Sequence, residues 1–390
     1  MHILIIPSAY PTKDAPLRST FFKEQALALK KAGNTVGVIY NETRRITGIN
    51  LNALKNNHFQ IREYCEDGLN TLRLHGWNIF MMRNKIGIDF WIKNSLKLYD
   101  IYCEKYGNPD IIHVHCGLYG GVLASIIKEK YNIKYVITEH ASIVMNNLLD
   151  DYHKKLLSKA YNNADKLIAV GEKLKKSMMN YTTNDIVVVP NIVDTSIFNY
   201  GNNKKSDKFI FASVCLLTKN KNVDKTIKAF AKNFKGKSNI ELMIIGSGPE
   251  KTFLEGLVKE LGVEKQINFV GAVNRENLKG YLEKATAFVL PSSFETFGIA
   301  YIEALACGLP IIATKCGGPE DFYKDYLGYM IPKDDDIALY TAMNDMVENI
   351  DNFERDKIAK YVIDTFSSEV ISEKLNKIFF EVINNRQDGK

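Results

Sequence analysis

The sequence predicts an α/β protein of two domains, in which short apolar strands alternate with longer amphipathic helices around mostly parallel sheets. Three observations lead there. The chain has 390 residues, more than one hydrophobic core usually organises. Short apolar runs bounded by turn residues recur along its whole length, with helical periodicity between most of them. One polar stretch, Asn199 to Lys208 (NYGNNKKSDK), breaks that rhythm, and the same rhythm restarts beyond it.

In the first half the expected strands are Ile3–Ile6, Thr35–Ile39, Thr71–Leu74, Ile111–His115, Lys134–Thr138, Lys166–Val170 and Ile186–Val189. Residues 20–32 place Phe21, Leu27 and Ala28 on one side of a helix that Gly33 stops. Segments 119–130 and 151–163 read as helices in the same way. In the second half the strands are Phe209–Val214, Glu241–Ile245, Ile267–Val270, 287–290 and 310–314, with helices over 222–234, 249–262, 276–284 and 298–307. Ser367 to Asn385 forms a last amphipathic helix, with Val370, Leu375, Ile378, Phe379 and Val382 apolar. Two similar halves imply two Rossmann-like domains, 1–200 and 201–366, facing a deep cleft, with 367–390 packing back toward the first.

Composition narrows the function. Apolar residues make up 46% of the chain and charged residues 25%, as in ordinary globular proteins. No stretch reaches the length of a spanning helix, and Met1 to Ile6 followed by Pro7 is too short for a signal-peptide core. Six cysteines without a CxxC pair read as buried reduced thiols, which points to the cytoplasm. Residues 1–200 hold 25 basic against 18 acidic side chains (+7), and 201–390 hold 26 against 27 (−1). A basic first half suits an anionic membrane face or a phosphorylated acceptor; solvated lysine-rich helices account for it equally well. The basic residues are dispersed without aromatic interleaving, which argues against nucleic acid. Residues 75–90, with Trp77, Phe80, Met81, Met82 and Arg83, either form an apolar and basic surface for a polyprenyl chain or bilayer, or lie buried under a helix.

The segment 291–320, PSSFETFGIAYIEALACGLPIIATKCGGPE, carries the chemistry. A strand opens through a loop into a helix, so free backbone N–H groups of Phe297, Gly298 and Ile299 and the positive end of the helix dipole face an anion. Gly298 lets the backbone approach closely. Glu295 stands in the loop, and Glu303, eight positions on, in the second helical turn. Glu303 lies among Ile299, Ile302, Leu305 and Ala306, so it needs a partner or a ligand. A ligand with phosphate at one end and hydroxyls at the other, such as a nucleotide sugar, fits two acids around an anion site. Gly246-Ser247-Gly248 lacks the third glycine of a dinucleotide fingerprint, and Asp334-Asp335-Asp336 reads as a helix cap rather than a metal cluster. No cofactor and no metal are expected. His113 and His115 alternate on one strand face and read as structural or cleft-lining.

The pattern F-E-T-F-G-I-x-x-I-E-A-x-A-C-G-x-P-I-I-A resembles the retaining glycosyltransferase family 4, built on the twin-Rossmann GT-B fold. Val188-Val189-Pro190-Asn191-Ile192-Val193-Asp194 is similar to the family's P-N-x-x-D passage, Ile245-Gly246-Ser247-Gly248-Pro249-Glu250 to its I-G-x-G-P-x turn, and Phe269-Val270-Gly271 to its F-x-G. Pro7-Ser8-Ala9-Tyr10-Pro11 and Phe21-Phe22-Lys23-Glu24-Gln25 resemble a bacterial polysaccharide-assembly branch, the branch of capsule and lipopolysaccharide synthesis. The resemblance implies a metal-independent hexosyltransferase, at the inner face of the membrane or free in the cytoplasm. Its second domain would bind a nucleotide sugar and its first a sugar or polyprenyl-linked glycan acceptor. It assigns Glu295 to the donor sugar hydroxyls, Glu303 to the ribose, and His140 to the reacting sugar. Lys221, with the 297–299 amides, would meet the diphosphate, and Gly246 and Val270 would line the donor pocket. Two positions depart from the pattern. The arginine that accompanies Lys221 in the family is Leu216 here, with Lys219 as a substitute charge. The usual glycine loop of the first domain is Arg18-Ser19-Thr20, where serine and threonine could cap the helix at Phe21 and all three could still face the phosphate. The missing arginine motivates an alternative, a catalytically impaired subunit that binds a partner or a nucleotide sugar without transfer. A sugar-nucleotide epimerase of this architecture would be expected to lack the 291–303 pattern.

Overall fold

The computed structural model describes residues 1–12, 15, 19–44, 60–77, 84–201 and 207–385. The chain forms two compact units, Met1–Pro190 together with Ile371–Lys390, and Asn191–Val370. The change of unit falls at Pro190, ahead of the polar stretch 199–208, of which residues 202–206 lie outside the described residues.

The first unit holds β1 (His2–Pro7), β2 (Thr35–Arg44), β3 (Gln60–Glu66), β4 (Leu69–Trp77), β5 (Ile111–His115), β6 (Tyr135–Glu139), β7 (Lys166–Ala169) and β8 (Ile186–Val188). They form one sheet in the order β3-β4-β2-β1-β5-β6-β7-β8. Seven of these strands run parallel. The eighth, β3, pairs antiparallel with β4 and is absent from the expected strands. Its hairpin turn is Asp67-Gly68, both at positive φ (52° and 77°). An Asp-Gly pair suits that geometry because neither residue pays the usual steric cost there. The charged, exposed run of β3 hid it from an apolar scan.

Helices Thr20–Lys31 and Asp151–Asn163 lie where the periodicity puts them, and Gly33 ends the first at φ 88°. The helix expected over 119–130 starts later, at Val122. Before it Gly117–Gly121 makes an irregular turn, with Tyr119 at φ 63°. A Cβ on Gly117 would stand 2.5 Å from the Tyr161 ring, so close packing rather than helicity sets that passage. The C-terminal helix Ser368–Asn384 packs on this same unit: Asn34 Nδ2 donates to Asn376 Oδ1 (2.8 Å), and Lys134 Nζ donates to the carbonyls of Val382 (2.7 Å) and Asn385 (2.6 Å).

The second unit holds β9 (Phe209–Val214), β10 (Ile240–Ile245), β11 (Ile267–Gly271), β12 (Ala287–Leu290), β13 (Ile311–Thr314) and β14 (Gly328–Ile331), ordered β11-β10-β9-β12-β13-β14 and all parallel. Helix Val223–Phe234 lays Ile227, Phe230 and Phe234 on the sheet, all buried. Each such side chain contributes roughly 1.5–3 kcal/mol by leaving water. Among the parallel strands of each sheet the order reverses direction once, between β1 and β5 and between β9 and β12. Open α/β sheets bind ligands beyond the carboxyl ends of strands at such reversals.

Candidate active site

The loops beyond β9 and β12 meet at the reversal of the second sheet. After β9 the chain makes a single turn, Lys219–Lys221, and enters helix Val223–Phe234. After β12 it passes Pro291 to Phe297 and enters helix Ile299–Ala306. Asn222 ties the two together: its Nδ2 donates to Pro291 O (2.7 Å) and Ser293 Oγ (2.9 Å), while Ser293 N donates to Asn220 O (2.7 Å). This lock brings Lys221 Nζ to 2.6 Å from Glu295 Oε1, which also accepts from Ser292 Oγ at 2.8 Å. Both side chains are largely withdrawn from solvent, so the pair is screened less than a surface pair.

The glycines around this pair have steric reasons. Gly298 takes φ 101°, a conformation that side chains rarely adopt. A Cβ on Gly318 would lie 2.3 Å from the Phe297 carbonyl oxygen, and Gly318 N donates to Glu295 O at 2.9 Å. Phe297 is buried against Phe322 and Phe366. The start of helix Ile299–Ala306 is thereby held beside Lys221 and Glu295. Gly246, at φ 141°, would place a Cβ 1.8 Å from Cys215 O, and Gly248 one 2.4 Å from Leu217 O. The 245–250 turn therefore presses directly on the loop that carries Lys221.

Of the remaining donor-side candidates, Lys219 is exposed in the same turn as Lys221, and Val270 is half-buried near the end of β11. Leu216, where the resemblance leads one to expect an arginine, is exposed. Glu303 is buried and forms an ion pair with Arg275, Nη1 to Oε1, at 2.6 Å. Arg275 opens helix Arg275–Leu282 behind its cap Asn274, and its guanidinium lies 5.0 Å from the Phe198 ring centre. Burial holds the Glu303 carboxyl above the usual carboxylate range, and Arg275 acts against that shift. Arg275 is the residue the sequence reading missed. Its available signal was the demand of a glutamate on an apolar helix for a partner.

His140 follows β6 in the first unit. Its backbone N donates to Glu139 Oε1 (2.9 Å), and its ring packs on Phe21 and Phe22 from helix Thr20–Lys31. His113 and His115 are wholly buried on β5. Ser19 and Thr20 begin that same helix, but the expected cap is not made. Ser19 sits at φ 51°, with no side-chain bond to the first turn, and its carbonyl instead accepts from Phe22 N. Arg18 lies outside the described residues, as do Phe80, Met81, Met82 and Arg83. Of the three aspartates at 334–336, Asp335 caps a helix, its Oδ1 accepting from Ala338 N at 2.9 Å, Asp336 stands in the first turn, and Asp334 pairs with Lys225. Among the described residues no group of three His, Cys, Asp or Glu side chains could hold a metal ion, and no helix is long and apolar enough to cross a membrane.

Two Rossmann-like units, the second with a basic–acidic pair beside a helix start at its sheet reversal, define a GT-B protein. The model for Glycosyltransferase Family 4 matches residues 19–197 and that for Glycosyl transferases group 1 matches residues 194–365. The chain thus belongs to the family 4 glycosyltransferases. It is 27% identical over 300 residues to N-acetyl-alpha-D-glucosaminyl L-malate synthase of Bacillus anthracis, covering 73% of this chain and 77% of that one. It is 25% identical over 364 residues to the putative teichuronic acid biosynthesis glycosyltransferase TuaC of Bacillus subtilis, covering 88% of each. Sucrose-phosphate synthase of Thermosynechococcus elongatus superposes with a TM-score of 0.80 over 99% of this chain and 100% of that one, at 19% identity.

Proposed function

We propose that this glycosyltransferase moves a hexose-type sugar from a nucleoside diphosphate to a sugar or polyprenyl-linked glycan acceptor. In this reading it works without a metal, with retention of anomeric configuration, in the assembly of a cell-surface polysaccharide on the cytoplasmic side of the membrane. The observation that carries the reading is the Lys221–Glu295 pair at 2.6 Å beside the start of helix Ile299–Ala306. A diphosphate arriving at the helix start draws the Lys221 ammonium to itself. The Glu295 carboxylate is then released to accept hydrogen bonds from sugar hydroxyls, while Glu303 and Gly246 serve the nucleoside end of the pocket. His140 is assigned to the reacting sugar.

The bond from the anomeric carbon to the phosphate oxygen breaks as the bond to the acceptor oxygen forms on the same face. The acceptor proton passes to the departing phosphate oxygen, so no protein base is required. What the chain supplies is positioning and stabilisation of the leaving charge. Removing one such donor typically lowers turnover by about 10²–10³-fold. Lys221→Ala is therefore expected to cut kcat by that order in a transfer assay, after a thermal-shift screen of UDP-, GDP- and ADP-sugars has identified the donor. Unchanged transfer by Lys221→Ala would remove the lysine from the mechanism.

A second reading rests on Leu216, exposed where the family carries a guanidinium. Without that fork of donors the chain would be a binding subunit with impaired transfer. Nucleotide binding without transfer or donor hydrolysis across the same panel selects it.

A further inference from the structure

Three distant segments of the first unit bring aromatic rings together around His153. Trp91 lies in helix Lys85–Tyr106 after β4, and Tyr119 in the loop after β5. Tyr152 and His153 stand in the first turn of helix Asp151–Asn163. The Tyr119 ring centre is 6.3 Å from that of Trp91 and 6.1 Å from that of His153, and Tyr152 is 5.5 Å from His153. These are contact separations for aromatic pairs. His153 is buried, Trp91 and Tyr119 are half-buried, and Tyr152 is exposed.

The cluster is held from several sides. Both Asp150 carboxylate oxygens lie 2.8 Å from His153 Nδ1, and the Tyr119 hydroxyl lies 3.2 Å from His153 Nε2. The carboxylate only accepts, so Nδ1 carries a proton, and Nε2 bonds Tyr119 whichever of the two holds the proton between them. Trp91 Nε1 donates to Asn41 O (3.3 Å), and Asn41 Nδ2 donates back to Trp91 O (3.1 Å). At the root of the Tyr119 loop, Gly117 N donates to Glu139 Oε2 (2.9 Å), and Glu139 Oε1 accepts from His140 N. Tyr119 itself has φ 63° and ψ −60°, a γ conformation that strains any residue but glycine. Such strain persists where the surroundings over-determine it, and it gathers at ligand sites.

The loop follows β5, where the strand order of the first sheet reverses. Ligands bind beyond the carboxyl ends of strands at such a reversal. The chemistry here is of two kinds. The rings present rigid, partly exposed apolar faces. Exposed carboxylates of Asp89, Asp150 and Asp151 stand beside them, and Asp89 acts on the Tyr152 phenol, whose pKa burial and that charge both raise. Carboxylates accept hydrogen bonds from hydroxyl groups and repel phosphate. An uncharged sugar ring, with an apolar face of C–H bonds and a rim of hydroxyls, matches both.

We propose that Trp91, Tyr119 and Tyr152 form the acceptor site of the first unit, and that this site takes an uncharged sugar ring rather than a phosphate group. The proposal rests on the transferase reading and names the acceptor group bound there. In a lipid-linked acceptor the sugar, and not the diphosphate, lies on these rings.

The chain has two tryptophans, Trp77 and Trp91, so Trp77→Phe leaves Trp91 as the single fluorescent reporter. That full-length variant is titrated with the methyl glycosides of glucose, galactose and N-acetylglucosamine, with methyl glucuronide, and with inorganic pyrophosphate. The expected result is a saturable change in Trp91 emission with at least one of the three neutral glycosides. Adding Tyr119→Ala or Tyr152→Ala should weaken that binding by on the order of tenfold, the scale of one aromatic contact. Tyr152 is exposed, so its variant keeps the test open should Tyr119→Ala fail to fold. No saturable change with any neutral glycoside overturns the proposal. So does tighter binding of the glucuronide or pyrophosphate, or an affinity that both tyrosine variants leave unchanged. Absence of nucleotide binding and transfer in the wild type would count against the transferase reading instead, since this titration needs neither.

Discussion

Glu303 places a carboxylate inside a helix that is otherwise apolar, and Arg275 is what makes that tolerable. Breaking a buried ion pair by removing one member costs about 3–5 kcal/mol, because the other charge stays behind unpaired. Arg275→Met should therefore destabilise strongly, toward the lower end of that range because the arginine is partly exposed. The sign with pH follows from linkage. The folded carboxyl is held above its unfolded value, so the folded state binds more protons and stability falls as pH rises through that window. Without Arg275 the carboxyl moves further up, and the window extends further toward neutral pH. Denaturant titrations should show the deficit of Arg275→Met growing from pH 5 to pH 8. A deficit independent of pH would mean that lost packing on Phe198, rather than the charge, is responsible.

Among the elements, the passage from β12 to β13 depends on close backbone approach more than on helix propensity. Helix Ile299–Ala306 has only eight residues, too few to be stable by itself in water, so its start is held by what lies against it. Gly318 is the closest such contact. Gly318→Ala forces its Cβ against the Phe297 carbonyl, and overpacking of this kind costs about 1–3 kcal/mol. The displaced strand bridge between Glu295 and Gly317 also tilts the Glu295 side chain. Chemical denaturation should show the lost stability, and a nucleotide titration should show a weakened donor site. Wild-type values for both would contradict the assignment of that glycine to the site's geometry. The hairpin of β3 and β4 carries a related lesson. Its Asp-Gly turn was a legible signal, but β3, the strand it closes, is charged and exposed, so an apolar pattern alone passes over it.

On the scale of the whole molecule, the last helix belongs with the first strands. Ile371, Leu375 and Phe379 are fully buried, and Phe379 rests on His113 inside the first unit. The chain's C-terminus is thus part of the core that supports His140. Phe379→Ala should cost about 3–5 kcal/mol, read as a lower melting temperature. It should also disturb the histidine resonances of β5, whereas truncation of an exposed tail would leave them in place. A melting temperature within a degree of the wild type would contradict this packing.

Apart from strands β3 and β14 and several helices, Lys85–Tyr106 the longest of them, the residues by themselves determined the α/β class and the order of the elements, and they singled out the Glu295–Glu303 segment as the candidate site of the second half. These are local properties: period, turn chemistry, and the spacing of two acids about a strand-to-helix turn. What the tertiary structure decided is which charges face one another. Lys221 meets Glu295 across 74 positions of chain, Arg275 meets Glu303, and His115 meets His140. No periodicity encodes those pairs, because each depends on where a loop leaves its strand and on which glycines allow two backbones to touch.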